Sequence, residues 1–205
     1  MNKGLLILIS APSGAGKTSL VNEIIDRDDQ LIKSVSHTTR AKRPGEEEKI
    51  DYFFTTEKEF NRMVSNSDFI EHAAVFGNFY GTSKNYVEEN LDSGLDVVLE
   101  IDWQGAQQLQ SVMPDAISIF IAPPTKQELE NRLRKRGKDS EETISIRLSQ
   151  ASSDMKKAIN YNYVVINDSF ETATNQLLTI INAERLKTSH QIKSNETLAS
   201  LLSPK

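Results

Sequence analysis

Lys17 and Thr18 close a run of small residues, Ser10-Ala11-Pro12-Ser13-Gly14-Ala15-Gly16-Lys17-Thr18-Ser19. Glycines and alanines at this spacing let backbone N–H groups curl around a polyphosphate. A helix opening after Gly16 would add its unpaired donors and the positive end of its dipole. Lys17 then reaches the β- and γ-phosphates, and the Thr18 hydroxyl holds Mg²⁺. One letter departs from G-x-x-x-x-G-K-S/T, because Ala11 stands where the pattern has glycine. Alanine there costs little if the position does not need positive φ. The flanks agree: Leu5 to Ile9 is an apolar run, and Leu20, Val21, Ile24 and Ile25 have helical spacing. A merely glycine-rich turn is the weaker reading, because Gly14, Gly16, Lys17 and Thr18 coincide with the strand and helix the motif needs. A nucleoside triphosphate on Ala11 to Ser19 is the expectation, with Mg²⁺ arriving alongside it.

Two basic clusters could serve further phosphate groups. Arg40, Lys42 and Arg43 follow the second apolar run, at the sheet edge where open α/β folds bind ligands. An arginine fork can hold phosphate oxygens bidentately. Taken alone this is a solvated loop balanced by Glu46, Glu47 and Glu48; beside a phosphate loop the functional reading leads. Arg132 and Arg136 lie four apart and share a helical face, with Arg147 further on, while Arg134, Lys135 and Lys138 read as ordinary surface charge. Cations that close over a transferring phosphoryl group stabilise its charge and exclude water. Asp96 to Asp102 is an apolar strand ending in acids, where Glu100 or Asp102 could orient Mg²⁺ through water or bind the acceptor. Trp103 is given no role.

The elements that must position these groups alternate. Strands are expected at Leu5 to Ile9, Leu31 to Val35, Val97 to Ile101, Ala116 to Ile121 and Tyr163 to Ile166, all short and apolar as a parallel sheet buried on both faces requires. Helix starts are marked by Thr125-x-x-Glu128, Asp139-x-x-Glu142 and Asp168-x-x-Glu171. The fold class is therefore α/β, a doubly wound five-stranded parallel sheet. About sixty residues separate its second and third strands, far more than one crossover helix needs. They contain Asp51 to Phe54, a helix near Glu57 to Val64, Phe69 to Val75, and a Gly77-Asn78 turn into Phe79 to Thr82, which predicts a small, mostly antiparallel β insertion. A helical insertion follows from Lys126 to Lys157, jointed at Gly137-Lys138. Residues 1–35, 88–125 and 158–189 form the expected core, 36–87 and 126–157 the two insertions, and 190–205 a fraying tail.

Composition narrows the functions. A net charge of −5 disfavours a general nucleic-acid or membrane-surface binder. With no cysteine and three scattered histidines, neither a disulfide framework nor a Cys-based zinc site is expected. The start does not read as a signal peptide, and no stretch is long enough for a membrane span, so the expectation is a cytoplasmic protein. Oligomeric state is not legible; a homo-oligomer stays open.

Together these residues resemble guanylate kinase in its bacterial form. The resemblance rests on Ser10 to Ser19, Val35 to Arg40 with Arg43, Gly45 and Glu46, Asp51-Tyr52-x-Phe54, Phe69-Ile70-Glu71, Gly77 to Thr82, Glu100-Ile101-Asp102-x-Gln104-Gly105, Arg132-Leu133-x-x-Arg136-Gly137, Arg147-Leu148 and Tyr163-x-x-x-Asn167-Asp168, in family order over most of the chain. It implies a P-loop kinase core with a GMP-binding insertion and a lid, and Mg²⁺-dependent transfer of the ATP γ-phosphoryl group to GMP. It implies Ser36, Arg40, Arg43, Tyr52 and Tyr80 as the grip on the GMP phosphate. Glu71 and Thr82 are implied as guanine readers, with Glu100 and Asp102 counted to the same side. Arg132, Arg136 and Arg147 are implied as lid arginines acting in catalysis with Lys17 and Arg43, and Asn167 as part of the adenine-side wall. The chemistry of Glu71 agrees: guanine N1–H and N2 are adjacent donors, and a carboxylate accepts only. Thr82 stands where many relatives have Ser, and Glu100 where some have Asp. Three rivals are weaker. A sibling kinase for ribose 1,5-bisphosphate would not need Glu71 and Thr82. An interaction module would have lost Lys17, Thr18 and the arginines. A nucleic-acid motor would need a second lobe.

Overall fold

The computed structural model describes residues 3–75, 77–135 and 141–202. The chain enters through β1 (Leu6–Ser10), α1 (Lys17–Arg27) and β2 (Leu31–Lys33). It leaves for β3 (His37–Thr38), β4 (Phe53–Phe54), α2 (Glu57–Ser65), β5 (Phe69–Val75) and β6 (Asn78–Ser83), and returns by α3 (Lys84–Asp92), β7 (Asp96–Glu100), α4 (Trp103–Val112) and β8 (Ile117–Ala122). Next come α5 (Lys126–Lys135), α6 (Glu141–Met155) and a 3₁₀ turn, Lys156–Asn160. β9 (Tyr163–Ile166), α7 (Phe170–Arg185), α8 (Thr188–Ser194) and α9 (Glu196–Leu202) complete the described chain.

One sheet is parallel throughout, in the order β2-β7-β1-β8-β9. Its central strands are buried on both faces because helices cover both. Alternate residues feed two apolar layers, as strand geometry demands. Ile7, Ile9 and Val98 pack with Leu20 and Ile24 of α1 and Leu177 and Ile181 of α7. Leu6, Leu8 and Leu99 pack with Val87, Leu91 and Leu109 of α3 and α4. Each fully buried Leu or Ile contributes about 2 kcal/mol. The second sheet is mixed, in the order β4-β3-β6-β5; only β3–β4 is parallel. Among the described residues no helix is long and apolar enough to cross a membrane.

Several boundaries differ from expectation. β2 ends at Lys33 rather than Val35: Ser34 still donates to the Val98 carbonyl, then the chain departs for the second sheet. The cap of α7 is Ser169, not Asp168, because the Ser169 hydroxyl accepts from the Thr172 N–H. Thr125 does accept from the Glu128 N–H. The Asp139 cap and the Gly137-Lys138 joint lie outside the described residues. The tail does not simply fray: α8 and α9 form, with Gln191 donating to the Arg185 carbonyl and Lys193 pairing with Asp115.

Candidate active site

Between β1 and α1 the chain turns through Gly14 and Gly16, with φ of 90° and 91°, the left-handed region open to glycine. Ala11 has no such demand on it, so its missing glycine is explained. This loop forms one wall of a cleft of about 710 Å³, which Ala11, Pro12, Ser13, Gly14, Gly16, Lys17, Thr18 and Ser19 all line. Ala15 is buried behind them. Lys17 donates to the Ile101 carbonyl at 2.9 Å, just beyond the end of β7. Burial lowers the pKa of its ammonium, against the pull of Glu100 and Asp102. The Thr18 hydroxyl donates to the Glu100 carboxylate, whose other oxygen is 3.0 Å from the Lys33 ammonium. Burial alone would raise the Glu100 carboxyl; Lys17 and Lys33 outweigh it and hold it low. A hydroxyl beside an ionised carboxylate is a hard oxygen donor set, which suits Mg²⁺.

The opposite wall comes from the second sheet and the start of α4. Tyr52, Ala74, Val75, Asp102, Trp103 and Gln104 line it. Tyr52 lies 5.9 Å from the Tyr80 ring, and the Arg40 guanidinium sits 5.2 Å from the Tyr52 ring. Burial pushes the Tyr52 phenol up to about 12, so it remains a neutral donor. Arg40 is held by Glu46 at 2.7 Å, and the same carboxylate accepts from the Arg43 backbone N–H. Glu46 is therefore a structural partner of the basic loop. Ser36 begins this loop and its carbonyl accepts from Phe53. Arg43 is exposed on the loop and does not line the cleft.

Glu71 and Thr82 meet across β5 and β6, which pair at that register. Both are buried, and the Thr82 hydroxyl donates to Glu71 at 2.6 Å. The other Glu71 oxygen lies over Gly105, 2.4 Å from where a Cβ there would stand. Asp102, 3.6 Å from that same point, caps α4 by accepting from the Gly105 N–H. Burial raises the Glu71 carboxyl to about 7, against the Thr82 hydrogen bond and with help from Asp102.

α5 and α6 supply the third side. Arg132 and Arg147 line the cleft, with Gln150, Ser153 and Asp154. Arg132 is oriented by Glu128 at 2.8 Å and by the Asn167 carbonyl at 3.0 Å. Arg134 points elsewhere, paired with Glu130 and Glu141, as its surface reading implies. Arg136 lies outside the described residues. Asn167 is buried and its side-chain amide donates to the Ala15 carbonyl at 2.7 Å, beneath the loop rather than in the cleft. Trp103, which its sequence context gives no role, lines the cleft, with the Lys157 ammonium 4.4 Å from its ring centroid. Its position next to Asp102 was the available signal. Asp154 had none, because only packing of α6 brings it here.

A phosphate loop facing a buried carboxylate–hydroxyl pair, on a doubly wound parallel sheet, is the architecture of a P-loop kinase. Comparison with known proteins narrows this. The guanylate kinase family model matches residues 3–184. The chain is 51% identical over 206 residues to the guanylate kinases of Salmonella paratyphi A and Escherichia coli, covering 98% of this chain and 99% of each relative. It is 50% identical over 201 residues to that of Saccharophagus degradans, covering 98% of both. The crystal structure of guanylate kinase from Anaplasma phagocytophilum superposes with a TM-score of 0.81 at 36% identity, covering 100% of this chain and 98% of that one. The chain belongs to the guanylate kinase family and is a kinase enzyme.

Proposed function

We propose that this chain transfers the γ-phosphoryl group of ATP to GMP, giving ADP and GDP, with the two substrates on opposite walls of the cleft. The observation that carries this division is the placement of the loop Ala11–Ser19 across from Asp102 and the adjoining Glu71–Thr82 pair. Lys17 and the loop N–H groups bind the triphosphate. Leaving the Ile101 carbonyl for the β- and γ-phosphates gives the Lys17 ammonium a stronger, charged acceptor. Thr18 would hold Mg²⁺, with Glu100 beside it; when bound, the ion neutralises charge on the β- and γ-phosphate oxygens.

Ser36, Arg40, Arg43, Tyr52 and Tyr80 hold the GMP phosphate so that its oxygen lies in line with the γ-phosphorus. Arg40 keeps a planar fork of donors, of which Glu46 takes one and the Ala41 carbonyl another, leaving others for phosphate. Glu71 accepts from guanine N1–H and N2, with Thr82 alongside. Adenine, an acceptor at N1, would leave the buried carboxylate unpaired and should be rejected by several orders of magnitude. Arg132, Arg136 and Arg147 close over the transferring group and exclude water from it.

The test is ADP production from Mg·ATP with GMP, AMP, UMP or ribose 1,5-bisphosphate in separate reactions. Turnover with GMP alone is expected. Turnover with only the sugar bisphosphate would move the chain to a sibling kinase activity, and turnover with AMP would remove Glu71 as the base reader.

A further inference from the structure

We propose that Asn167 is a positioning residue for phosphoryl transfer. Its side-chain amide orients the peptide between Ala15 and Gly16 so that the Gly16 N–H faces the triphosphate, and its carbonyl orients Arg132 over the same cleft. This rests on the assignment of the loop to ATP.

Asn167 is well placed to be a rigid post. It follows β9 directly, and its N–H donates to the Ala122 carbonyl at 2.8 Å, so the β8–β9 ladder continues through it. It is 6% exposed. From there Nδ2 reaches the Ala15 carbonyl at 2.7 Å, across 152 positions of sequence. The C=O and N–H of a trans peptide point in opposite directions. Pinning the Ala15 carbonyl toward Asn167 therefore turns the Gly16 N–H away from Asn167, toward the cleft that Gly16 lines. Without that hydrogen bond the peptide can rotate and present its carbonyl to the anion, replacing attraction with repulsion.

Gly16 bears the mark of the same arrangement. Its φ is 91°, and a Cβ there would stand 2.5 Å from Asn167 Nδ2. The residue must be glycine both for its backbone and to let the amide pass. The Asn167 carbonyl meanwhile accepts from Arg132 at 3.0 Å, while Glu128 holds the Arg132 Nε. One side chain and one carbonyl thus tie the donor-phosphate cradle and a cation of α5 to a single sheet position. An amide is required rather than a carboxylate, since aspartate would set an acceptor against the Ala15 carbonyl.

Calorimetric titration of the full chain with ATP, with inorganic tripolyphosphate and with GMP tests this, comparing the wild type with Asn167→Asp and Asn167→Leu. A lost hydrogen bond to a charged group should weaken ATP and tripolyphosphate by the same factor, about tenfold to a hundredfold, with GMP changed by less than about twofold. If ATP weakened while tripolyphosphate did not, the amide would be touching the base and the proposal would fall. It would fall equally if neither ligand changed, or if GMP weakened as much, which is the mark of a general structural role. Should Asn167→Leu not fold, the near-isosteric Asn167→Asp carries the comparison. A wild-type chain that bound neither ATP nor tripolyphosphate would instead overturn the donor-site assignment itself.

Discussion

Glu71 is a buried carboxylate on which the acid Asp102 acts more strongly than the cation Lys17, and its ionisation controls what it can bind. With its pKa raised to about 7, the fold holds the proton more tightly than the unfolded chain does. Its contribution to stability is therefore fully present below the unfolded value of 4.5 and is lost as pH rises through about 7. Guanine asks for the opposite, because both of its donors need the ionised form. The ionised fraction rises from about one-tenth at pH 6 to about nine-tenths at pH 8, so GMP affinity should rise about tenfold over that window. The GMP phosphate also titrates near pH 6 or so. Calorimetry on Glu71→Gln separates the two, since that variant keeps the phosphate's share and loses the rest. An equal rise in the variant would remove Glu71 as the titrating group.

At the scale of elements, the acceptor wall depends on how α4 meets β5. Gln108 donates to the His72 carbonyl and accepts from the His72 N–H, while Gln104 donates to the Ala74 carbonyl. The helix thereby satisfies part of a sheet edge that would otherwise be open. Glu71 lies between these contacts and the start of α4, where Gly105 leaves room for its carboxylate. Gly105 has no positive φ, so alanine suits the backbone and adds helix propensity of up to about 1 kcal/mol. The new methyl would stand 2.4 Å from the carboxylate oxygen and must displace it. We expect Gly105→Ala to melt no lower than the wild type yet to bind GMP more than about tenfold more weakly. Unchanged GMP affinity would mean that Glu71 can move without loss of base reading.

The molecule as a whole is drawn together at the sheet edge opposite the cleft. Arg185 at the end of α7 pairs with Asp28 after α1 and with Asp96 at the start of β7, each at 2.7 Å. Asp96 is 4% exposed and also accepts from the Leu5 N–H. Burial alone would raise the Asp28 carboxyl, but the Arg185 guanidinium and the Gln30 N–H outweigh it and hold it low. Asp28 therefore stabilises the fold above its unfolded pKa of about 4, an effect lost as pH falls through its folded value. Arg185→Met leaves the Asp96 side chain buried without its cationic partner, and should cost about 3 kcal/mol in urea denaturation at neutral pH. A loss below about 1 kcal/mol would show that the Leu5 N–H suffices for Asp96.

The phosphate loop was legible in the sequence because its parts are contiguous. Leu6 to Ser10 makes the strand, Gly14 and Gly16 the turn and Leu20 to Ile24 the helix, and neighbours along the chain set backbone angles and amphipathic faces. The five core strands could be read for the same reason, whereas Glu71 and Thr82 stood out only through the family resemblance, and that they face each other across β5 and β6 came from the fold. Other features required the fold. Ser169 rather than Asp168 caps α7, since either offers an oxygen and only the entry angle of the chain chooses between them. The last helices form where docking of Gln191 and Lys193 supports a polar sequence that looks frayed. Asn167 lies under Ala15, and Glu71 lies over Gly105, only because two layers pack at one spacing. Local sequence determined which groups this protein has for chemistry; tertiary packing decided which of them face the cleft and which hold the others in place, because hydrogen bonds between distant residues depend on the register of whole layers rather than on any adjacent side chain.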